Sequence, residues 1–459
     1  MKPQDIVERA LTARTVDDSV VIVHESSQAN LRWAANTLTT NGVMRISSVT
    51  VISNVNRDNG VAVGVVSGSV ADASDVTRLV HQAETAAKSA ELAPDAAPLV
   101  QEVTSADYEE PAAETSASVF SQFAPSLGEA FGRSRSSGRE LFGFAEHDLT
   151  TTYLGSSSGI RLRHAQPTGR VEITGKSANR TRSTWIGAAT RDFTDVDVEA
   201  LDADVAQRLG WANRQIALEP GRYDVVLPPT AVADLMIYLY WTAAARDAYE
   251  GRTVFSKPGG GTRIGERLTD QPLAMVSDPA YPGMETAPFN IVEASSSLTS
   301  VFDNGLPLQR TEWISNGTLS ALGQTRHSAR LTDLPMTPIQ DNLALESATG
   351  SGSLTDVVGG IERGLLLTTL WYIREVDPQT LLLTGLTRDG VYLVEGGEVV
   401  GVVNNFRFNE SPVDLLSRVT HTGKTTLALP REWADFFTRV AMPPLRVADF
   451  NMSTVSQAS

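Results

Sequence analysis

Residues 223–265 constrain the fold more than any other stretch of this chain. A short β-type run, Tyr223-Asp224-Val225-Val226-Leu227, is closed by Pro228 and Pro229. A long apolar segment then runs from Thr230 to Glu250, with Val232, Leu235, Met236, Leu239, Tyr240, Ala243 and Ala244 recurring at helical spacing. The spacing predicts one helix with a broad buried face. Thr230 can cap it, and Asp234 falls near its positive end. Gly251 ends the helix, and Pro258-Gly259-Gly260-Gly261 makes a flexible turn. Such a segment is a piece of core.

The 459 residues are enough for two or three domains, and 41% hydrophobic with 20% charged residues fits an ordinary globular protein. The net charge of -16 speaks against nucleic acid and against an anionic membrane surface as partners. The chain has no cysteine. That removes disulfides, thiolate zinc sites and a cysteine nucleophile. Met1-Lys2-Pro3-Gln4-Asp5 has no apolar signal core, and no run approaches membrane-spanning length, so the expected location is the cytoplasm.

Periodicity predicts an α+β chain: an N-terminal α/β-type sheet-and-helix domain over 1–217, then a β-rich domain with short helices over 218–459. In the first domain, 3–13 and 72–92 read as helices and 20–24, 31–34, 45–52 and 61–66 as strands. Asn41-Gly42 and Asp58-Asn59-Gly60 read as turns, and His81, Glu84 and Lys88 fall on the outer face of the second helix. Residues 93–118 read as an acidic surface loop or linker, and 134–138 as another loop. Short strands at hairpin spacing fill 141–187, and 196–215 is a helix. In the second domain, Asn304-Gly305 and Asn316-Gly317 read as hairpin turns, 391–403 as a hairpin, and 353–364 and 414–419 as helices.

Catalytic motifs are mostly missing. No two of the six histidines lie within ten residues of each other, so a paired-histidine metal motif is absent. His24-Glu25 has no second ligand after it, His81 with Glu84 reads as a solvated helix face, and Glu146-His147-Asp148 reads as a turn at a strand end. Gly155-Ser156-Ser157-Ser158-Gly159 matches a bare nucleophile pattern, but it joins two strands and no helix follows. Gly423-Lys424-Thr425 looks like the end of a phosphate loop, yet Arg418 stands where the first glycine is required.

Taken in order, the pieces resemble the TldD/TldE family, also called PmbA or modulator-of-gyrase proteins. The N-terminal part resembles that family's first domain through Gly60-Val61-Ala62-Val63-Gly64 and the helix after it, and Gly155 to Gly159 matches a later segment. The C-terminal half carries the resemblance further. Val254-Phe255-Ser256 to Gly265 is followed by Ala287-Pro288-Phe289-Asn290-Ile291-Val292-Glu293 and then Asp303-Asn304-Gly305. Asn316-Gly317-Thr318-Leu319, Ile361-Glu362-Arg363-Gly364, Glu395-Gly396-Gly397-Glu398 and Asp414-Leu415-Leu416 complete the order. TldD-type members carry His-Glu-x-x-x-His on the helix before the Ser/Gly segment, where two histidines and a later cysteine bind zinc. The corresponding helix here holds Leu235, Met236, Ile237, Tyr240 and Trp241. The resemblance therefore implies a TldE-type member with a degenerate former metal-site helix, no catalytic residue, no metal and no cofactor.

The implied role is a non-catalytic subunit of a cytoplasmic metalloprotease that trims unfolded or linear peptides together with a TldD-type zinc subunit. A stand-alone homodimeric peptide-binding protein is the second expectation. A metal-free hydrolase using carboxylates such as Asp303 or Glu395 is the third.

Overall fold

The computed structural model describes residues 1–456. Its N-terminal third is a six-stranded antiparallel sheet of unusually long strands. These are β1 (Asp18–Ala34), β2 (Thr37–Arg57), β3 (Gly60–Gly68), β4 (Arg139–Ser156), β5 (Arg161–Ser177) and β6 (Ser183–Thr190), in the order β3-β2-β1-β4-β5-β6. β2 alone runs for 21 residues, against a usual length of about 3–10. Runs that read as separate short strands are thus pieces of continuous ones. The turn expected at Asn41-Gly42 lies inside β2, and the chain reverses instead at Ala35 and Asn36, both with positive φ. Glu146-His147-Asp148 likewise sits in mid-strand, not at an end.

Strict alternation gives this sheet two unlike faces. On one, Val21, Val23, Val49, Val51 and Tyr153 pack on α1 (Pro3–Ala13) and α2 (Ala73–Ser89). Farther along, Leu31, Trp33, Leu141, Val171 and Ile173 pack under α3 (Phe123–Ser136) and α4 (Val198–Trp211). α2 forms because Asp72 caps it, accepting the N–H groups of Ser74 and Asp75, while Val76, Leu79, Val80 and Ala83 face inward. It packs so close to the sheet that a Cβ on Gly64 would lie 2.1 Å from the carbonyl oxygen of Ala83. The expected outer position of Glu84 is corrected here. Its carboxylate is buried and accepts the backbone N–H and the hydroxyl of Thr15 at 2.5 and 2.6 Å. Residues 134–138 also differ from expectation, since most of them form the last turn of α3.

The acidic stretch 93–118 is irregular but held down. Ser105 and Arg161 exchange backbone hydrogen bonds with the opposing segment, and Leu99 and Tyr108 are buried. Apolar anchors four to nine residues apart carry no helical or strand period, so they do not show in the pattern.

The other sheet face is apolar at one end only. There Val20, Ile22, Leu154 and Leu162 meet Phe289, Val292, Val301 and Phe302 from the second half of the chain. Two further sheets, of six and ten strands, make up that half. The opening strand Gly221–Leu227 lies inside the larger sheet, parallel to Arg363–Leu367 and antiparallel to Leu445–Val455. The stretch 365–387 supplies parts of three strands, Arg363–Leu367, Leu370–Asp377 and Leu382–Thr387. The hairpin over 391–403 forms as expected, as does the Asn316-Gly317 turn. Asn304-Gly305 instead follows a single 3₁₀ turn, Val301–Asp303. The helix expected over 353–364 stops at Gly359 before a strand begins at Arg363. The architecture is α+β, rich in strands.

The central helix is shorter than its periodicity predicts. α5 spans Pro229–Trp241, and a separate short helix covers Ala245–Tyr249. Between them the backbone of Ala243 and Ala245 pairs with Gly323, which draws it out of helical geometry. Pro228 precedes the helix without a side-chain cap, so the role expected of Thr230 is not taken. α5 shares one core with both C-terminal sheets, touching the level of Val225 and Leu365 on one side and Met275 and Trp313 on the other.

Candidate functional site: a cleft divided by a C-terminal strap

The polar face of the N-terminal sheet forms one wall of a cleft against the C-terminal half. Cross-strand register puts His24, Thr152 and His164 in one row, with Gln28, Asp148 and Thr168 farther along and Asn30, Glu146 and Arg170 beyond. Opposite stand Ile291, Glu293, Asp341 and Arg439, enclosing about 510 Å³. His24 Nδ1 lies 2.8 Å from Thr152 Oγ1, and its Nε2 lies 3.6 Å from Glu293. That histidine, with the Thr50 hydroxyl 2.5 Å away, holds the Glu293 carboxyl below its ordinary range despite partial burial. Burial pushes the His164 imidazole down, and its Nε2 bonds Gln166 at 3.0 Å. Arg439 spans the cleft, donating to Thr168 Oγ1 at 2.9 Å and to the Asp341 carbonyl at 3.1 Å.

A strap over 429–439 crosses this cleft and binds both halves. The Arg431 guanidinium lies 4.7 Å from the ring centres of both Trp185 and Trp371. It donates to Glu172 at 2.8 Å, and the Trp185 indole N–H donates to the same oxygen at 3.0 Å. Arg170 pairs with Asp435 at 2.7 Å. Phe436 remains 76% exposed at the mouth of the cleft. The sequence reading did not single out this strap. Its signal was available as Trp433, Phe436 and Phe437 between two arginines.

The strap is also the cover of α5. Asp234 is wholly buried and accepts the backbone N–H groups of Glu432 at 2.9 Å and Arg431 at 3.2 Å, while its own carbonyl takes the Trp433 indole N–H at 2.9 Å. Burial raises the Asp234 carboxyl well above its usual value, against the lowering effect of those N–H groups. Leu235, Met236 and Ile237 have no exposed surface. The Tyr240 hydroxyl accepts the Gln340 N–H at 2.7 Å and donates to the Gln340 carbonyl at 3.1 Å. Trp241 stacks edge-on against Trp433, with ring centres 5.1 Å apart, and Tyr240 meets Phe437.

These residues do not fit the zinc that a metallopeptidase fold implies. Zinc takes imidazole, thiolate or carboxylate ligands in a tetrahedral set. The helix offers only Asp234, and both its oxygens already accept backbone N–H groups. Among the described residues, no group of three or more His, Cys, Asp or Glu is placed to hold a metal ion.

The other sequence candidates lie apart. His147 is buried, with Nδ1 2.7 Å from the Thr115 hydroxyl and Nε2 2.8 Å from the Arg191 carbonyl, and burial lowers its pKa. Ser157 bonds Asp18 within the turn that joins β4 to β5. Asp303 is buried against Arg326, and Glu395 pairs with Arg363 at an exposed strand end. Gly423 hydrogen bonds Pro444 in an inter-strand loop.

Comparison with known proteins accounts for this architecture. Residues 220–454 match the family model described as PmbA/TldA metallopeptidase C-terminal domain. Among curated proteins, none matches the sequence. The fold is similar to that of TldE from Thermococcus kodakarensis, with a TM-score of 0.76 at 16% identity over 98% of this chain and 99% of that one. It is also similar to a candidate modulator of a DNA gyrase from Thermotoga maritima, with a TM-score of 0.73 at 15% identity over 98% and 99%. A further candidate modulator of DNA gyrase, from Bacteroides thetaiotaomicron, gives 0.73 at 12% identity over 98% of each chain. With the family model covering the whole second half and the fold shared throughout, the chain belongs to the TldD/TldE (PmbA) family of metallopeptidase-related proteins.

Proposed function

We propose that this chain is a TldE-like, non-catalytic subunit that works with a TldD-type zinc subunit on unfolded linear peptides in the cytoplasm. The observation that carries the reading is α5, where Leu235, Met236, Ile237, Tyr240 and Trp241 pack into core and against the strap instead of presenting ligands. The chain's own contribution is to shape a cavity and admit extended chains. The polar sheet face, rich in threonine and paired charges, suits a peptide whose backbone groups need partners.

A docking edge supports the partner reading. Among the described residues β3 pairs only with 49–57 of β2, so 37–48 form an edge with no strand partner on the side away from β1. Residues 37–46 are all exposed, including Leu38, Val43, Met44 and Ile46. Free strand edges are templates for pairing with another chain. The same edge would serve a second copy, which is what favours a stand-alone homodimeric peptide-binding protein as the second reading.

The test is metal analysis and peptide cleavage by the pure chain, with and without the TldD-type protein of the same cell. The expected result is no stoichiometric zinc, no cleavage alone, and cleavage by the pair above that of the partner alone. Stoichiometric zinc, or cleavage by the chain by itself, sinks the reading. Failure of any TldD-type protein to co-purify with the tagged chain favours the homodimer.

A further inference from the structure

A second cavity, also bordered by the strap through Arg431, is basic. It encloses about 930 Å³, within the range of about 300–1,000 Å³ for ligand sites. Lys176, Arg180, Arg182, Arg388 and Arg431 line it, against one lining carboxylate, Asp389. This occurs in a chain whose net charge is -16.

Internal pairing leaves two of these charges over. Arg180 is held by Glu140, and Arg431 by Glu172. Arg388 pairs with Asp389 at 3.4 Å. Arg182 meets only neutral acceptors, the Leu209 carbonyl at 3.0 Å and the Asn213 side chain. Lys176 forms no ion pair among the described residues; it shares the field of its cross-strand neighbour Glu140 with Arg180, which already pairs with that carboxylate, and its ammonium sits 5.6 Å from the ring centre of Phe142. The Arg180 guanidinium lies 5.6 Å from that same ring, so two like charges flank one aromatic. The Asn404 amide nitrogen is buried at the wall with no hydrogen-bond acceptor among the described residues. Buried donors without acceptors are costly unless something fills them. Part of the remaining wall is apolar, built from Ile216, Val391, Val402 and Val403, beside the hydroxyls of Thr174, Thr181 and Ser183.

We infer that this cavity binds the acidic portion of a linear peptide, its carboxylates meeting Lys176 and Arg182 and its apolar side chains meeting the valine wall. Cations beside an apolar wall match an amphipathic acidic segment. A bare phosphate would satisfy the cations and leave the apolar wall wet. The inference rests on the reading that this chain handles linear peptides, and it adds a charge preference to it.

The test is fluorescence anisotropy on the full chain with a labelled hexapeptide of alternating Glu and Val. A Gln-for-Glu counterpart with an amidated C-terminus and inorganic tripolyphosphate serve as the other probes. The Glu peptide is expected to bind at least about tenfold more tightly than the Gln peptide, a factor equivalent to about 1.4 kcal/mol. Binding is expected to weaken as salt rises, because screening shortens the reach of exposed charges. The double variant Lys176→Met with Arg182→Gln should erase the preference while keeping its thermal unfolding midpoint. Lys176→Gln alone serves if the double variant does not fold. Equal binding of both peptides overturns the basic site and leaves the subunit reading standing. So does failure of either peptide to bind a chain that still supports its partner's cleavage. Tripolyphosphate binding without binding of the Glu peptide overturns the peptide assignment. The subunit reading fails by its own measure, zinc or cleavage by the chain alone.

Discussion

Replacing Asp234 with Asn tests how the strap is tied to α5. The carboxylate accepts two backbone N–H groups, from Arg431 and Glu432, and has no exposed surface. Asn has one oxygen and one NH₂ in the same outline, so one N–H would face another N–H. The loss is one hydrogen bond plus buried donors left without acceptors, at about 1–3 kcal/mol for each unsatisfied group. For two such donors the total is about 2–6 kcal/mol, which at about 1.4 kcal/mol per tenfold is an acceleration of roughly 30- to 20,000-fold in local opening. Hydrogen exchange of the peptide spanning 429–438, followed by mass spectrometry at pH 7, reads this directly. The α2 segment, remote from Asp234, should exchange as before. Exchange of the strap within about threefold of the wild type would refute the reasoning, since that is under about 0.7 kcal/mol. The pH dependence carries a sign. Burial raises the folded pKa of Asp234 above its ordinary 3.8. Its contribution is therefore full below that unfolded value and is lost as pH rises through the higher folded one. Asn does not titrate, so the wild type's advantage over Asp234→Asn is expected to shrink as pH rises from about 4 through that window.

Arg431→Met removes the nearer of two cations on buried Glu172, leaving Arg170 at 3.8 Å, and the cation between Trp185 and Trp371, and is expected to cost about 1.5–3 kcal/mol in urea unfolding, the range for a hydrogen bond to a charged group. A loss under about 1 kcal/mol would show that the aromatic sandwich alone holds the strap. Glu84 behaves oppositely to Asp234: burial pushes it up, but the hydrogen bonds from Thr15 outweigh this and hold its pKa below 4.5. Its contribution is present above pH 4.5 and lost as pH falls through the lower folded value, so Glu84→Gln should destabilise at pH 7 and converge with the wild type in acid. Thermal midpoints across pH 3–7 check it, and a gap that widens in acid contradicts it. Met44→Lys with Ile46→Lys changes exposed side chains on the free edge of β2 and should leave folding within about 0.5 kcal/mol. Association with the partner subunit, read by analytical ultracentrifugation, should weaken, and unchanged association places the contact elsewhere.

Local signals in the sequence were read well where one element satisfies itself. α2 declares its cap at Asp72 and its inward face through Val76, Leu79, Val80 and Ala83. The hairpin over 391–403 and the Asn316-Gly317 turn need only local chemistry, and both formed. Long strands were harder. Asn41-Gly42 carries turn chemistry in an exposed stretch of β2, and Glu146 and Asp148, on the polar cleft face of β4, flank a His147 buried on the other face, so both places read as interruptions. The cleft itself could not be read in one dimension. His24 and Glu293 are 269 positions apart, yet lie 3.6 Å from each other. Glu84 was misplaced because its neighbours His81 and Lys88 carry the helix's polar face, while a partner 69 residues away drew it inside.

Two histidines placed on α5 would not by themselves make a metal centre. A ligand pair one helical turn apart needs open space on its helix face and acceptors or donors behind it to orient the ligands. On α5 that space is filled by Trp433 and Phe437, stacked on Trp241 and Tyr240. Leu235, Met236 and Ile237 are closed off by core on all sides. Placing histidine at such positions would bury imidazoles without partners, at about 1–3 kcal/mol for each unsatisfied group. It would also leave cavities where the larger apolar groups stood. The strap therefore does two things at once. It covers α5 with Trp433 and Phe437, and through Arg431, Asp435 and Arg439 it spans the cleft to the N-terminal sheet and to Asp341. One short segment thus couples the helix to the cleft: loosening Trp433 or Phe437 on α5 would also loosen Arg431, Asp435 and Arg439 on the N-terminal sheet, because all five lie on the same strap.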